Sequence, residues 1–253
     1  LVVVNGENGV TSELDSYVYW GGPNGLTGAR TEIPTAGAYD VAVVDLSGNG
    51  LPDLVFPSAW LDHHNRGQSR QLHVMEQVEP RRFQDVSDRY GLMGSAALAV
   101  ACEDLSGDGH PDLVVANYRE EFEYDVDSFV YRGTGAGFDT AAPLRLPTHY
   151  ALQVVLGDLN ADGCKEIVFT GGNQVRIYWN RGGSFHPDDH TILEAQGNST
   201  TFAEGALRAA VADTDGDGLT DLEEYEGGTS GTAWDTDGDG YGDFDEDQAG
   251  SDP

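Results

Sequence analysis

Short apolar runs rich in Val, Ile, Leu, Tyr and Phe recur along the first 212 residues, each closed by Gly, Pro, Asn or Asp. Runs of this length and composition, punctuated this way, predict β-strands rather than helices. One pattern returns at intervals: an apolar run ends in an aspartate, a Gly-rich loop follows, and a second apolar run begins at an acidic residue. It is seen as Val41–Phe56, Leu98–Val115 and Gln153–Phe169, and it starts a fourth time at Ala209. The leading aspartates, Asp45, Asp104, Asp158 and Asp213, lie 59, 54 and 55 residues apart. A period of this size means stacked supersecondary units.

A second similarity runs between the loops. Ser16–Trp20 resembles Ser128–Arg132 and Val175–Trp179, and each is followed by another β-type run. Each unit therefore reads as four strands, A to D, with the Asp loop joining A to B. The first full unit places them near 41–45, 53–58, 71–76 and 81–86; the second near 98–104, 112–117, 128–132 and 144–146; the third near 152–158, 166–170, 175–179 and 191–194. The last A strand, 207–212, has no B, C or D behind it, whereas Leu1–Val4, Tyr17–Trp20 and Thr31–Ile33 read as B, C and D with no A before them. The expected fold class is all-β, a small β-propeller of four four-stranded blade repeats. It is closed when the C-terminal strand joins the three N-terminal ones, or open and completed by a neighbouring copy, which would build a filament or a swapped oligomer.

The loops carry the chemistry. Their first, third, fifth and ninth positions present oxygen side chains, the sixth is Gly, and the seventh offers its backbone carbonyl. This spacing wraps a chain around a hard cation, and oxygen-only donors favour calcium over zinc or copper. The predicted ligand positions are Asp45, Ser47, Asn49, Leu51 and Asp53; Asp104, Ser106, Asp108, His110 and Asp112; and Asp158, Asn160, Asp162, Cys164 and Glu166. Leu51, His110 and Cys164 would contribute carbonyls only. Two further loops continue to a glutamate at position twelve, the full EF-hand-type pattern: Asp213, Asp215, Asp217, Leu219, Asp221 and Glu224, then Asp235, Asp237, Asp239, Tyr241, Asp243 and Glu246. The competing reading is that Asp-Gly turns form hairpins without an ion. Five such loops in one chain favour the ion.

Charge sharpens the division of the chain. The formal net charge is −31, from 44 acidic and 13 basic residues. Residues 213–253 hold 15 of the acids and no Lys or Arg, so a boundary falls near Asp213: a propeller over 1–212 and an irregular calcium-loop tail over 213–253. Such a balance speaks against nucleic acid or an anionic membrane as partner. The one lysine, Lys165, ends no phosphate-binding loop, and no run of 18 apolar residues suits a membrane-spanning helix. The 39% hydrophobic content is enough for a core, so this is no disordered acidic polymer. Leu1 fits a mature exported protein or an excised fragment equally.

The loops between hydrophobic strands resemble FG-GAP/VCBS repeats, the calcium-bearing blades of integrin α-subunit-like propellers, over about residues 1–213. Asp213–Gly218 and Asp235–Gly240, 22 residues apart and ending in Gly250–Pro253, look like thrombospondin type 3 repeats of bacterial surface proteins. Loop one departs from the pattern with Ser47 and Asn49, and four blades are fewer than the family commonly has. The resemblance implies an exported or cell-surface calcium-binding protein with a structural or adhesive role and no catalysis, its partners calcium, other copies of itself, or a surface protein or glycan.

The remaining chemistry is sparse. His-Glu-x-x-His, Gly-x-Ser-x-Gly and Cys-x-x-Cys are all absent, which argues against an enzyme. Cys102 and Cys164 read as two partly buried thiols rather than a bridge. His63 and His64 fall in a long polar connection, and His186 and His190 in a turn before a D strand. Trp20, Trp60, Tyr118 and Trp179, near the ends of B or C strands, either stack on sugars in a calcium-dependent lectin or fill space between blades. Asn198 begins the one N-glycosylation sequon.

Overall fold

The computed structural model describes residues 1–6, 10–11, 13–59, 69–135, 137–160, 162–172 and 174–194. The strand expected at 207–212, the whole 213–253 tail, Trp60, His63, His64 and Asn198 lie outside the described residues.

The described chain is all-β apart from one turn of helix, and its strands form separate antiparallel sheets. The first sheet contains β1 (Val2–Val3), β2 (Glu13–Gly22) and β3 (Gly25–Ala36), paired in that order. The second sheet is drawn from β4 (Ala42–Val44), β5 (Asp53–Phe56), β7 (His73–Glu79) and β8 (Arg82–Asp85). A ribbon of β6 (Ser69–Gln71) with β9 (Met93–Ser95) flanks it, and helix α1 (Ser87–Tyr90) follows β8. The third comprises β10 (Ala97–Glu103), β11 (Asp112–Asn117), β12 (Asp127–Tyr131) and β15 (Leu144–Pro147), with β13 (Gly133–Thr134) and β14 (Gly137–Phe138) as a small ribbon in the C–D connection. The fourth consists of β16 (Ala151–Gly157), β17 (Glu166–Gly171), β18 (Gln174–Tyr178) and β19 (His190–Glu194). Every main sheet is an antiparallel meander taken in chain order, with ribbon strands intervening between β5 and β7 and between β12 and β15, and among the described residues none closes on itself.

Period-two alternation explains how the sheets stack. In β5, Val55 faces the third sheet while Leu54 and Phe56 face the first. In β11, Leu113 and Val115 join the cluster with the second sheet, and Val114 and Ala116 join the cluster with the fourth. Central strands are thus buried on both faces, which is why they read as continuous apolar runs in the sequence. Each fully buried Val, Leu or Phe contributes about 1.5–3 kcal/mol, so these three inter-sheet clusters are the main source of cohesion.

The first sheet is built like the third without its A strand. Ser16 and Thr35 share a hydroxyl hydrogen bond of 2.9 Å, as do Ser128 and Thr148. The N–H of Asn5 donates to Ser16 Oγ as that of Asn117 does to Ser128 Oγ, and the two Asn amides donate to the carbonyls of Asp15 and Asp127. By this equivalence β1 occupies the B position, and among the described residues it pairs only with β2. Trp20 and Trp179 are likewise equivalent, each donating its indole N–H to a Thr on the D strand, Thr31 or Thr191, at 3.0 Å.

Candidate cation-binding loops

Each Asp loop joins an A strand to a B strand, and the three are hydrogen-bonded in one style. At the first position the carboxylate folds back over its own loop. Asp45 Oδ1 accepts the N–H groups of Gly48 and Asn49 at 2.8 and 3.1 Å, and Oδ2 that of Gly50 at 2.7 Å. Asp104 repeats this with Gly107, Asp108 and Gly109 at 2.8, 3.2 and 2.8 Å. Asp158 takes Asp162 at 3.2 Å and Gly163 at 2.8 Å. The turn needs a left-handed residue at position six: Gly50, Gly109 and Gly163 have φ of 81°, 88° and 85°, where a side chain would be strained.

The fifth-position side chain closes a smaller ring two residues on. Asn49, Asp108 and Asp162 each accept the N–H of position seven, Leu51, His110 or Cys164, at 2.7, 2.8 and 2.7 Å. Third positions differ. Ser106 donates to Asp104, Asn160 accepts from Asp162, and Ser47 Oγ is buried with no hydrogen-bond partner.

The ninth position does a different job. Asp53, Asp112 and Glu166 are 1%, 0% and 0% exposed. Asp53 accepts the N–H groups of Leu46 and Ser47 with one oxygen and that of Gln77, on β7, with the other. Asp112 accepts Leu105 N–H, Gly133 N–H and an Arg132 guanidinium N–H at 3.1, 2.8 and 3.2 Å. Glu166 accepts Leu159 and Asn180 N–H at 2.8 and 3.3 Å. These carboxylates tie the start of the loop to the C strand or to the residue just beyond it.

Environment pushes two of the acids in opposite directions. Burial raises the Asp104 carboxyl, but the N–H groups of Gly109, Gly107 and Asp108 and the Ser106 hydroxyl outweigh it, leaving the group below its ordinary value. For Glu166 burial also raises the pKa and prevails over the N–H groups of Leu159 and Asn180, with Asp162 and Asp158 adding repulsion.

The loops of the third and fourth sheets are also joined to each other. Arg132 donates to Asp112 and to the Gly183 carbonyl, and the Asn180 amide donates to the carbonyls of Leu105 and Lys165 at 2.9 and 3.0 Å. A Cβ on Gly183 would sit 2.5 Å from the Ser106 carbonyl oxygen. Lys165 pairs with Glu103 across the same junction at 2.6 Å.

The donor set fits a hard cation, since the predicted positions supply oxygen alone and Ser47 leaves an oxygen unpaired beneath loop one. Among the described residues no three His, Cys, Asp or Glu side chains form a metal-binding cluster. Each loop brings only two or three carboxylates, and many of their acceptor sites are taken by backbone N–H groups. The positions Asp213, Asp215, Asp217, Leu219, Asp221, Glu224, Asp235, Asp237, Asp239, Tyr241, Asp243 and Glu246 lie outside the described residues.

Other predicted features resolve simply. Both cysteines are free, and burial pushes the Cys102 thiol up to about 12, far from a reactive thiolate. Trp20 stacks on Phe83 between the first two sheets, Trp179 packs against Leu159, Val168 and Ile177, and Tyr118 is 2% exposed. His186 lies in the turn before β19 and His190 opens that strand, its ring against the Pro187 carbonyl. Sequence reasoning missed Arg132 and Asn180, which act through the C–D turn of one sheet on the loop of the next. Their signal was the basic or amide residue one or two places after an aromatic C-strand ending.

Two FG-GAP-like repeats match the chain, over residues 104–169 and 158–222. Their starts coincide with the leading aspartates of loops two and three. The Asp45–Asp53 loop has the same construction outside the matched span. No curated protein matches the chain.

Proposed function

We propose that the protein is an extracellular or cell-surface, calcium-stabilised structural or adhesion module. In this reading the four main sheets are blades of a small β-propeller, and residues 213–253 form a thrombospondin type 3-like calcium-binding tail. FG-GAP repeats occur in adhesion and extracellular proteins, which agrees with it. The observation that carries the proposal is the threefold recurrence of one all-oxygen loop, built on the same hydrogen bonds and anchored each time by a buried ninth-position carboxylate. Hydrogen bonds within the turn account for the oxygens at positions one, five and nine, but position three keeps an oxygen in every copy although Ser47, Ser106 and Asn160 share no common hydrogen bond, which supports a ligand.

Calcium would be held by the side chains at positions one, three and five and the carbonyl at seven, supplying positive charge where carboxylates crowd. The ninth-position acids serve as anchors and as further donors. Extracellular calcium at millimolar levels fills even weak sites of this type. The sequence carries none of the common catalytic signatures, and its net charge of −31 disfavours nucleic acid.

The three-stranded first sheet supports completion by one more strand, since among the described residues β1 pairs only with β2, where its counterpart β11 pairs also with β10. Residues 207–212 carry the matching apolar run, either within one chain or from a neighbouring copy in an assembly. Calorimetric titration with Ca²⁺ and Mg²⁺, with melting measured in calcium and in excess EDTA, tests the calcium reading. Saturable calcium binding with a lowered melting temperature in EDTA is expected; no binding heat and unchanged melting would overturn it. Sedimentation in millimolar calcium separates a closed monomer from an assembly.

A further inference from the structure

The Asp loops lie at one end of the sheets, and the chemistry they leave unexplained lies at the other. β11 leaves its loop at Asp112 and ends at Asn117, so Tyr118 and Arg119 stand at the far end of the third sheet. Arg119 is 0% exposed. Its Nη1 reaches the Tyr124 hydroxyl at 3.4 Å, while its Nε and Nη2 are buried with no partner. The hairpin that follows carries Glu120, Glu121 and Glu123, but these are exposed and none pairs with it.

An arginine stays charged at any physiological pH, and a buried charge without a counter-ion is strongly disfavoured. No carboxylate among the described residues bonds to it. The guanidinium carbon lies 5.4 Å from the Tyr118 ring centroid and 5.8 Å from that of Tyr124. Tyr124 stacks on Tyr150 with centroids 4.4 Å apart, and Tyr118 stands edge-on to both. Ring faces offset only part of the charge. Tyr124 is itself half-buried, so the cluster reaches solvent one side chain away from the guanidinium.

The unpaired atoms are not a random pair. Nε and Nη2 carry parallel N–H groups on one edge of the guanidinium, the fork that takes a planar two-oxygen group bidentately. We infer that this edge of Arg119, framed by Tyr118, Tyr124 and Tyr150, is a carboxylate-receiving site. A tetrahedral dianion fits less well, because two N–H groups and one positive charge would leave its remaining oxygens unpaired among aromatic rings. The carboxylate that suits it is that of a small organic or sugar acid.

The Arg119 Nε–H resonance, followed by side-chain ¹⁵N–¹H NMR on the full chain in calcium, decides the matter. It is assigned by its loss in Arg119→Lys. A downfield, exchange-protected signal already present in carboxylate-free buffer would mean that the guanidinium edge is sealed without a free acid and would also overturn the inference. A signal that becomes protected only on adding acetate or glucuronate identifies a free acid, and Arg119→Lys then weakens that binding by about tenfold or more, having lost the bidentate fork. Rapid exchange in both conditions, up to saturating probe, would overturn the inference. The readout on the unmodified chain stands even if the variant fails to fold.

Discussion

Asp104 and Asp112 stand eight residues apart at the two ends of one loop, with the same carboxylate and opposite settings. Asp104 is exposed and accepts hydrogen bonds almost wholly from within its loop. Asp112 is fully buried and accepts from the loop start, from Gly133 past the next strand but one, and from Arg132, which also bonds to the neighbouring sheet. A similar contrast separates half-buried Asp45 from buried Asp53 and half-buried Asp158 from buried Glu166. One end shapes a loop that a cation can use; the other fastens that loop to the sheets. Acidic residues of one motif therefore differ in what their loss would cost.

The sharpest test removes the fastening end. Asp112→Ala leaves three donors without their acceptor, among them the partly buried Arg132 guanidinium, and is expected to cost about 3 kcal/mol or more. Urea denaturation measures it, and the loss should persist in excess EDTA because it does not depend on an ion. A loss seen only in calcium would show that Asp112 is chiefly a ligand and that the contrast is false.

The inter-sheet connection is tested next by Gly183→Ala. Gly183 has φ of 87°, and a Cβ there would press on the Ser106 carbonyl at 2.5 Å. Strain plus displacement of loop two from the C–D turn is expected to cost about 2 kcal/mol, read as a lower denaturation midpoint with an unchanged slope. A neutral substitution would mean that the turn and loop are not seated on each other.

At the loop-shaping end, Asp104→Ala should cost only about 1 kcal/mol in EDTA, since the freed N–H groups of Gly107, Asp108 and Gly109 are exposed to water. In calcium the difference should grow, and one site should disappear from the titration. Equal costs in both media would identify loop two as a turn without a ligand.

Much of this was legible before any coordinates. Strand positions followed from the apolar runs because central strands such as β11 are buried on both faces and leave no polar gap. The loops were legible because Gly at position six and oxygens at alternate positions are local requirements. The opposite roles of Asp104 and Asp112 were not, since the partners that distinguish them, Gly133 and Arg132, lie about 20 residues on in sequence. The four-residue helix at Ser87–Tyr90 was missed because one turn has no periodicity to read. Arg119 was missed because an Arg after a strand ordinarily points to solvent.

The finest test concerns an oxygen that does nothing visible. Ser47 Oγ sits in loop one, buried and without a hydrogen-bond partner, where its counterparts Ser106 and Asn160 are bonded within their loops. A buried hydroxyl with no partner is a net cost, so in EDTA Ser47→Ala should be neutral or stabilising by about 0.5–1 kcal/mol. If calcium binds as proposed, the same oxygen becomes a donor at the third position, and its removal should weaken the site that Asp45 and Asn49 share. The sign of the substitution therefore reverses between the two media, which thermal melts in EDTA and in calcium would show directly. Stabilisation in both would mean that loop one, with only Asp45 and Asp53 as carboxylates, is a turn that has kept the form of the other loops without their ion.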